Sequence, residues 1–509
     1  MERTLGKPPQ EPEKDSTEAS QIVKQAAEGS MCSPSLPCAK ERCRIGNLMP
    51  GIIQHAAVTF DGPPLSHLPI DTINALTKPS DDMSRIIAGE FRLCCLGILG
   101  VQDKIVNTET LPLEYPQFNV RMEKERQSVR LVFEQGPSNA FVEGDLTKIR
   151  KKHIAAAVRD MVFHALHFDQ ASTNQGRSAL LETMIGDAGL LLPTKTIIND
   201  RREQLLRIVC WGGHTIGPAD YGFAKRVGEE LGLRYFEAIT GGGPGTMRGV
   251  LRGNRKGLNQ QEIFYGKQIG FTSPEIIAAE PPNVFVTDLV ILPDIEMRLE
   301  AFLRSMNGIV ILPGGPGTAE ELFLAEAVKL HPANENQHIP MSLSCARNSV
   351  GTLHAMHECI ERVLGSKATE MYEIVTGTPE SLAGFMKNEM QTMRNVRDRS
   401  DDAYEWNRSM VIPNELQTPF LPTHQTMESL QLHASQELWQ LCAEVRKFWK
   451  GIVYGSVTGE GRAYIREHGK FKVNGERFII EALETLLQRF IAEKRMRAER
   501  YEPCYEFVE

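Results

Sequence analysis

Between residues 207 and 376, short β-rich runs alternate with amphipathic stretches of helical period, a pattern that restricts this part of the chain to a parallel sheet wrapped by helices on both faces. Strands are expected at 207–211, 234–240, 268–271, 308–312, 339–343 and 372–376. Helices are expected near 219–231, 246–256, 296–306, 318–330, 350–364 and 378–392. The fold class expected is α/β, with a central doubly wound, Rossmann-like parallel sheet. A smaller α+β N-terminal domain and a mostly helical C-terminal domain flank it. In such sheets a ligand sits outside the carboxyl ends of the strands, near the point where strand order reverses, so the strand-to-helix loops are where function is sought.

The length of 509 residues allows about three folded units. The expected division is a flexible extension at 1–45, an N-terminal domain with a helical connector at 46–192 and a catalytic sheet domain at 193–393. A charged linker at 394–402 and a C-terminal domain at 403–509 complete it. In the last of these, a helix near 436–449 precedes a glycine-rich passage (Gly451, Gly455, Gly459, Gly461), and a long amphipathic helix follows from about 476 to 497. With 41% hydrophobic and 24% charged residues the composition is that of an ordinary globular chain. A net charge of −8 excludes a global positive field that would gather nucleic acid or an anionic membrane, so any phosphate must be bound locally.

No apolar run is long enough to span a bilayer, and the N-terminus lacks a secretory pattern. Glu2, Glu11, Glu13, Asp15 and Glu18 argue against an organellar transit peptide, so a cytoplasmic location is expected. The cysteines are scattered without the spacing of zinc sites or disulfide scaffolds and read as reduced thiols, and the grouping Cys32, Cys38, Cys43 is assigned no role. No metal and no cofactor are expected.

Three loops rich in small residues each follow an expected strand and open a helix. They are Trp211-Gly212-Gly213-His214-Thr215, Gly241-Gly242-Gly243-Pro244-Gly245-Thr246-Met247 and Pro313-Gly314-Gly315-Pro316-Gly317-Thr318-Ala319-Glu320-Glu321. Glycine lets backbone N–H groups approach an anion, and a helix N-terminus adds roughly half a positive charge, so such loops suit phosphate. Neither the Walker pattern nor the dinucleotide fingerprint G-x-G-x-x-G is present. The loop residues Gly212, Gly213, His214, Gly242, Gly243, Gly245, Thr246, Met247, Gly314, Gly315, Gly317 and Thr318 are the candidate phosphate- and substrate-binding set. Arg298, on the helix before the third loop, and Glu321, on the helix after it, are the candidate charged pair. Thr318 either contacts phosphate or caps its helix, and Asp294 either orients Arg298 or caps its own. Trp211 either stacks on a base or, at the end of a buried strand, belongs to the core, and Glu320 reads as a solvent-facing neighbour.

The stretch Asp294-Ile-Glu-Met-Arg298 through Pro313-Gly-Gly-Pro-Gly-Thr-Ala-Glu-Glu321 resembles the signature of the LONELY GUY or lysine decarboxylase-like family, an Arg-bearing helix followed by P-G-G-x-G-T-x-x-E. Val209-Cys-Trp-Gly-Gly-His-Thr215, Thr240-Gly-Gly-Gly-Pro-Gly-Thr-Met247, Ile276-Ile-Ala-Ala-Glu-Pro-Pro-Asn283 and Pro503-Cys-Tyr-Glu506 are similar to the larger bacterial branch, the pyrimidine/purine nucleotide 5′-monophosphate nucleosidases, from about residue 46 onward. The resemblance implies hydrolysis of nucleoside monophosphates to free base and ribose 5-phosphate, with Arg298 and Glu321 as the catalytic pair. It also implies a homo-oligomer, dimer or tetramer, and an effector of the guanosine tetra- or pentaphosphate kind. Cleavage of an N-glycosidic bond passes through an oxocarbenium-like state, which a carboxylate can stabilise while activating water. The helix N-terminus is expected to hold Glu321 ionised, which suits a base rather than a general acid. The alternatives on the same fold are a cytokinin-nucleotide phosphoribohydrolase and a non-catalytic nucleotide-binding or sensing protein.

Overall fold

The structure, a computed structural model, describes residues 52–61, 76, 82–100, 111–124, 128–167, 174–198, 201–496 and 501–508. The expected extension at 1–45 and the cluster Cys32, Cys38, Cys43 lie outside the described residues. The described residues belong to one compact unit. The described cysteines Cys94, Cys95, Cys210, Cys345, Cys359, Cys442 and Cys504 are free and buried, and no described helix is long and apolar enough to cross a membrane.

The N-terminal part is α+β. Strands β1 (Ile52–Asp61), β2 (Asn119–Lys124) and β3 (Ser128–Pro137) form an antiparallel sheet in the order β1-β3-β2. Helix α1 (Asp82–Leu99) packs on it, α2 (Lys148–His167) packs on α1, and α3 (Asn174–Asp187) follows. The two connecting helices are those the apolar periodicity predicts.

The central sheet has seven parallel strands, β4 (Leu206–Trp211), β5 (Phe236–Thr240), β6 (Gln268–Thr272), β7 (Asp288–Ile291), β8 (Gly308–Ile311), β9 (Met341–Leu343) and β10 (Glu373–Ile374). Their order is β7-β6-β5-β4-β8-β9-β10, with every pairing parallel. The chain builds outward from β4 to one edge and then crosses to β8 on its other side, so the switch point lies between β4 and β8. Strand β7 has no counterpart among the sequence-expected strands. The β5 strand starts later than expected because Tyr235 sits at φ 67°, a left-handed conformation that breaks the extended run.

An edge strand leaves backbone groups unpaired. At β7 the helix α2 covers them: Asp160 accepts from the Ile291 N–H at 2.7 Å, Arg159 donates to the Leu289 carbonyl at 2.8 Å, and the His153 ring lies 2.9 Å from the Val286 carbonyl.

Helices α4 (Pro218–Leu233) and α5 (Thr246–Gln260) pack backbone to backbone. A Cβ on Gly228 would stand 2.0 Å from the Val250 carbonyl oxygen, and one on Gly253 1.8 Å from that of Lys225. The remaining helices of this region are α6 (Ile295–Ser305), α7 (Pro316–Leu330), α8 (Val350–Leu364) and α9 (Pro379–Ser400).

The segment 394–402, expected to be a linker, is for most of its length the end of α9. Its charge is not all solvated, because Arg397 is buried and donates to the carbonyls of Met306, Ala403 and Tyr404. The C-terminal part holds α10 (Leu438–Val457), α11 (Gly459–His468), α12 (Arg477–Ala492) and the parallel pair β11 (Phe471–Val473) and β12 (Tyr505–Phe507). The glycine-rich passage lies in α10 and α11: Met427 packs where a Gly451 Cβ would lie, and Cys504 does so at Gly455.

Candidate active site

The loops after β4, β5 and β8 meet at the switch point, and glycine is what lets them touch. A Cβ on Gly212 would lie 2.6 Å from Thr246 Cγ2, one on Gly213 3.0 Å from Gly314 Cα, and one on Gly314 2.0 Å from Thr318 Oγ1. Gly245, at φ 64°, presses against the Gly213 and His214 carbonyls, while the Thr246 N–H donates to the Gly213 carbonyl at 3.0 Å. Thr246, Met247 and Thr318 are buried, so their side chains support this loop stack. Gly317, by contrast, borders open space in the first turn of α7, and Gly242 takes a left-handed φ of 75°. The glycines therefore have two jobs, and much of the small-residue content serves loop-to-loop contact.

Arg298 and Glu321 converge on this stack. Arg298 Nη2 lies 3.9 Å from Glu321 Oε1, and Arg298 Nε donates to the Phe271 carbonyl at 3.0 Å. A Cβ on Gly241 would stand 2.6 Å from Arg298 Nη2, so the β5 loop receives the guanidinium directly. Trp211 is core, edge-on to Phe302, and the Arg298 guanidinium lies 5.2 Å from the Phe302 ring centre.

Burial pushes the Glu321 carboxyl up to about 8, despite a side chain that remains 12% exposed. Arg298 pulls it down, and Glu320 and Glu280 add to the rise. The expectation of a lowered value from the helix N-terminus is overturned, because desolvation of a carboxylate outweighs the partial charge of one helix end.

Asp294 is the N-cap of α6, accepting from the Met297 N–H at 2.9 Å, and its carboxylate takes both its side-chain bonds from Arg177 at 2.8 Å. It does not orient Arg298. Thr318 is not the cap of α7, which is Gly315. Glu320 is not solvent-facing: it is 18% exposed and lies 2.9 Å from Arg446 of α10, a charge pair not aligned as a hydrogen bond.

Two groups at the site carried no role in the sequence reading. Glu280, after β6, lies 2.9 Å from His214 Nδ1 and faces Gly243. Asn283 donates to the carbonyls of Gly242 and Gly243 at 2.7 and 2.8 Å, holding the β5 loop. Both belong to the quoted run 276–283, the only signal that marked them. Among the described residues no group of three or more His, Cys, Asp or Glu side chains is spaced to share a metal ion.

A doubly wound sheet carrying Arg, glycine stack and Glu at its switch point defines a Rossmann-like domain of the lysine decarboxylase-like class, and residues 241–384 match the family described as "Possible lysine decarboxylase". Residues 64–168 match "Pyrimidine/purine nucleotide 5'-monophosphate nucleosidases", and residues 390–508 match the C-terminal region of the same nucleosidases. The pyrimidine/purine nucleotide 5'-monophosphate nucleosidase of Escherichia coli, in three strains, is 34% identical over 455 residues, 87% of this chain and 99% of the relative. The chain belongs to the pyrimidine/purine nucleotide 5′-monophosphate nucleosidase family.

Among solved structures, a molybdenum cofactor carrier protein from Chlamydomonas reinhardtii overlaps 36% of this chain and 99% of its own, at 16% identity and a TM-score of 0.27. A molybdenum cofactor binding protein from Rippkaea orientalis overlaps 36% and 95%, at 19% identity and the same TM-score of 0.27. The strand order, not this likeness, establishes the fold.

Proposed function

We propose that the protein hydrolyses the N-glycosidic bond of purine and pyrimidine nucleoside 5′-monophosphates to free base and ribose 5-phosphate. The observation that carries the reading is the approach of Arg298 and Glu321, from successive helices, to 3.9 Å beside the three-loop glycine stack. The family relationship supports it over the whole length of the relative.

In the reaction the C1′–N bond breaks with its electron pair going to the base, and water oxygen bonds to C1′. Glu321, ionised, steadies the developing positive charge and takes the proton of the attacking water. Its value near 8 lets it pass that proton on to the departing base. Arg298, fixed by the Phe271 carbonyl, presents the rest of its planar fork to a ribose or phosphate oxygen and is the counter-charge that allows Glu321 to ionise. Gly243, Gly317 and the N-terminus of α7 offer backbone N–H groups to the phosphate, while the Gly242 N–H donates to Thr240 Oγ1 at 3.0 Å and fixes the β5 loop. Glu280, held by His214, faces the sugar. Incubation of purified protein with GMP and UMP, with ribose 5-phosphate measured, tests the reading. Glu321→Gln should remove turnover and Arg298→Ala should lower it sharply, and full activity of Glu321→Gln would end the reading.

The effector expected from the resemblance is a proposal of its own. A groove of about 490 Å³ lined by Lys225, Arg252, Arg255 and Lys256 has the charge for a polyphosphate, and ppGpp titrated during base release tests it, a flat response removing it. Assembly into a homo-oligomer fits the exposed Phe264 and Tyr265, and sedimentation reads the subunit number. A cytoplasmic location completes the proposal.

A further inference from the structure

Helices α6 and α7 are both met by side chains of α10. Arg446, 3% exposed at its side chain, stands 2.9 Å from Glu320 and 3.6 Å from Glu296. Glu320 immediately precedes Glu321 on α7, and Glu296 is two residues before Arg298 on α6. Lys450, one turn on along α10, adds a second cation 3.2 Å from Glu296. Between them, Trp449 Nε1 donates to the Pro316 carbonyl at 2.9 Å, at the first residue of α7. One helix of the C-terminal part therefore grips both catalytic helices, and it does so through the neighbours of the catalytic pair.

We propose that Arg446 is a positioning residue of the reaction: by holding Glu320 and Glu296 together it fixes the spacing of Arg298 and Glu321 and cancels the negative charge behind Glu321. This rests on the assignment of Arg298 and Glu321 above.

Two acids, Glu296 and Glu320, meet two cations, Arg446 and Lys450, and a third acid, Glu275, also faces Lys450 and Glu296. Without Arg446, Glu296 at 2% exposure keeps Lys450 while Glu320 at 18% loses the cation that meets it, and an uncompensated charge in such surroundings acts more strongly on its neighbours than a solvated one. The charged groups that face Glu321 are Arg298 from α6, Glu320 from its own helix and Glu280 from the loop after β6. His214 stands behind Glu280, and Glu296, Arg446 and Lys450 stand behind Glu320. Of these, Arg446 is the cation that meets Glu320, so it governs how strongly Glu320 opposes ionisation of Glu321.

The test uses the full chain hydrolysing GMP, with kcat and KM followed across pH for wild type, Arg446→Met, Glu320→Gln, the double variant and Glu321→Gln. Arg446→Met should move the inflection of activity upward by about one pH unit, and Glu320→Gln should move it downward. The double variant should return close to wild type, with KM changed far less than kcat in all three. A merely structural role would lower activity without moving inflections in opposite directions. If Arg446→Met does not fold, Glu320→Gln still decides the point, because an inflection unchanged in that variant overturns the proposal. Glu321→Gln separates the two readings. If it retains turnover, the catalytic assignment falls. If it is inactive while the other variants keep the wild-type inflection, only the role of Arg446 falls.

Discussion

Arg298 Nη2 stands 3.9 Å from Glu321 Oε1, near enough to favour the carboxylate and too far to hydrogen-bond it. The gap follows from the anchoring of Arg298 Nε on the Phe271 carbonyl, which ties the guanidinium to the end of β6 rather than to its acid partner. Arg298→Ala should lower kcat/KM by about a hundred- to a thousandfold. Arg298→Lys should recover little, because an ammonium cannot keep the Phe271 bond and reach substrate at once. Steady-state kinetics on GMP and UMP checks both.

Activity should rise with pH. Burial holds the Glu321 carboxyl up at about 8, so the ionised base is a minor form at neutrality and the major form above that value. The logarithm of kcat/KM should climb with increasing pH and level off above about 8, the inflection belonging to the free enzyme. A decline through the same range would mean that Glu321 works as an acid.

Folding stability should show the same group with the opposite sign. A carboxyl whose folded value exceeds its unfolded value stabilises the fold while protonated, and that stability is lost as pH rises through the folded value. The penalty is absent below the ordinary value of 4.5 and complete above about 8. Glu321→Gln should therefore match wild type in thermal melts near about pH 5 and exceed it by roughly a few kcal/mol near about pH 9.

The contact between α4 and α5 should not tolerate one methyl group. Alanine is favoured over glycine in helices by about 1 kcal/mol, yet Gly253→Ala places a Cβ 1.8 Å from the Lys225 carbonyl oxygen. Backbone cannot step aside as a side-chain tip can, so a loss of about 3 kcal/mol or more is expected in chemical denaturation. Gly222→Ala on α4, where nothing lies within 4 Å, should be neutral or stabilising.

The alternation of β-runs and helices placed six of the seven central strands, and the three glycine loops marked the sheet edge that gathers Arg298 and Glu321. These features were legible because they are local: a turn type, a period, a spacing. The missed strand, Asp288–Ile291, is four residues long at the sheet edge, and its finish comes from Arg159 and Asp160, 130 residues earlier in the chain. The protonation of Glu321 was misjudged because a helix end is visible in sequence and desolvation is not. Glu320 looked exposed for want of any sign that Arg446 would reach it, and no local pattern showed that Met427 and Cys504 would fill the space beside the glycines of α10.

The Arg495 carbonyl oxygen occupies a place 2.5 Å from where a Cβ on Gly315 would be, and Trp449 holds Pro316 next to it. A catalytic turn near the middle of the polypeptide is thus shaped by residues translated long after it. A ribosome-bound nascent chain carries Arg298 and Glu321 before Trp449 and Arg495, which brace this turn, have been added.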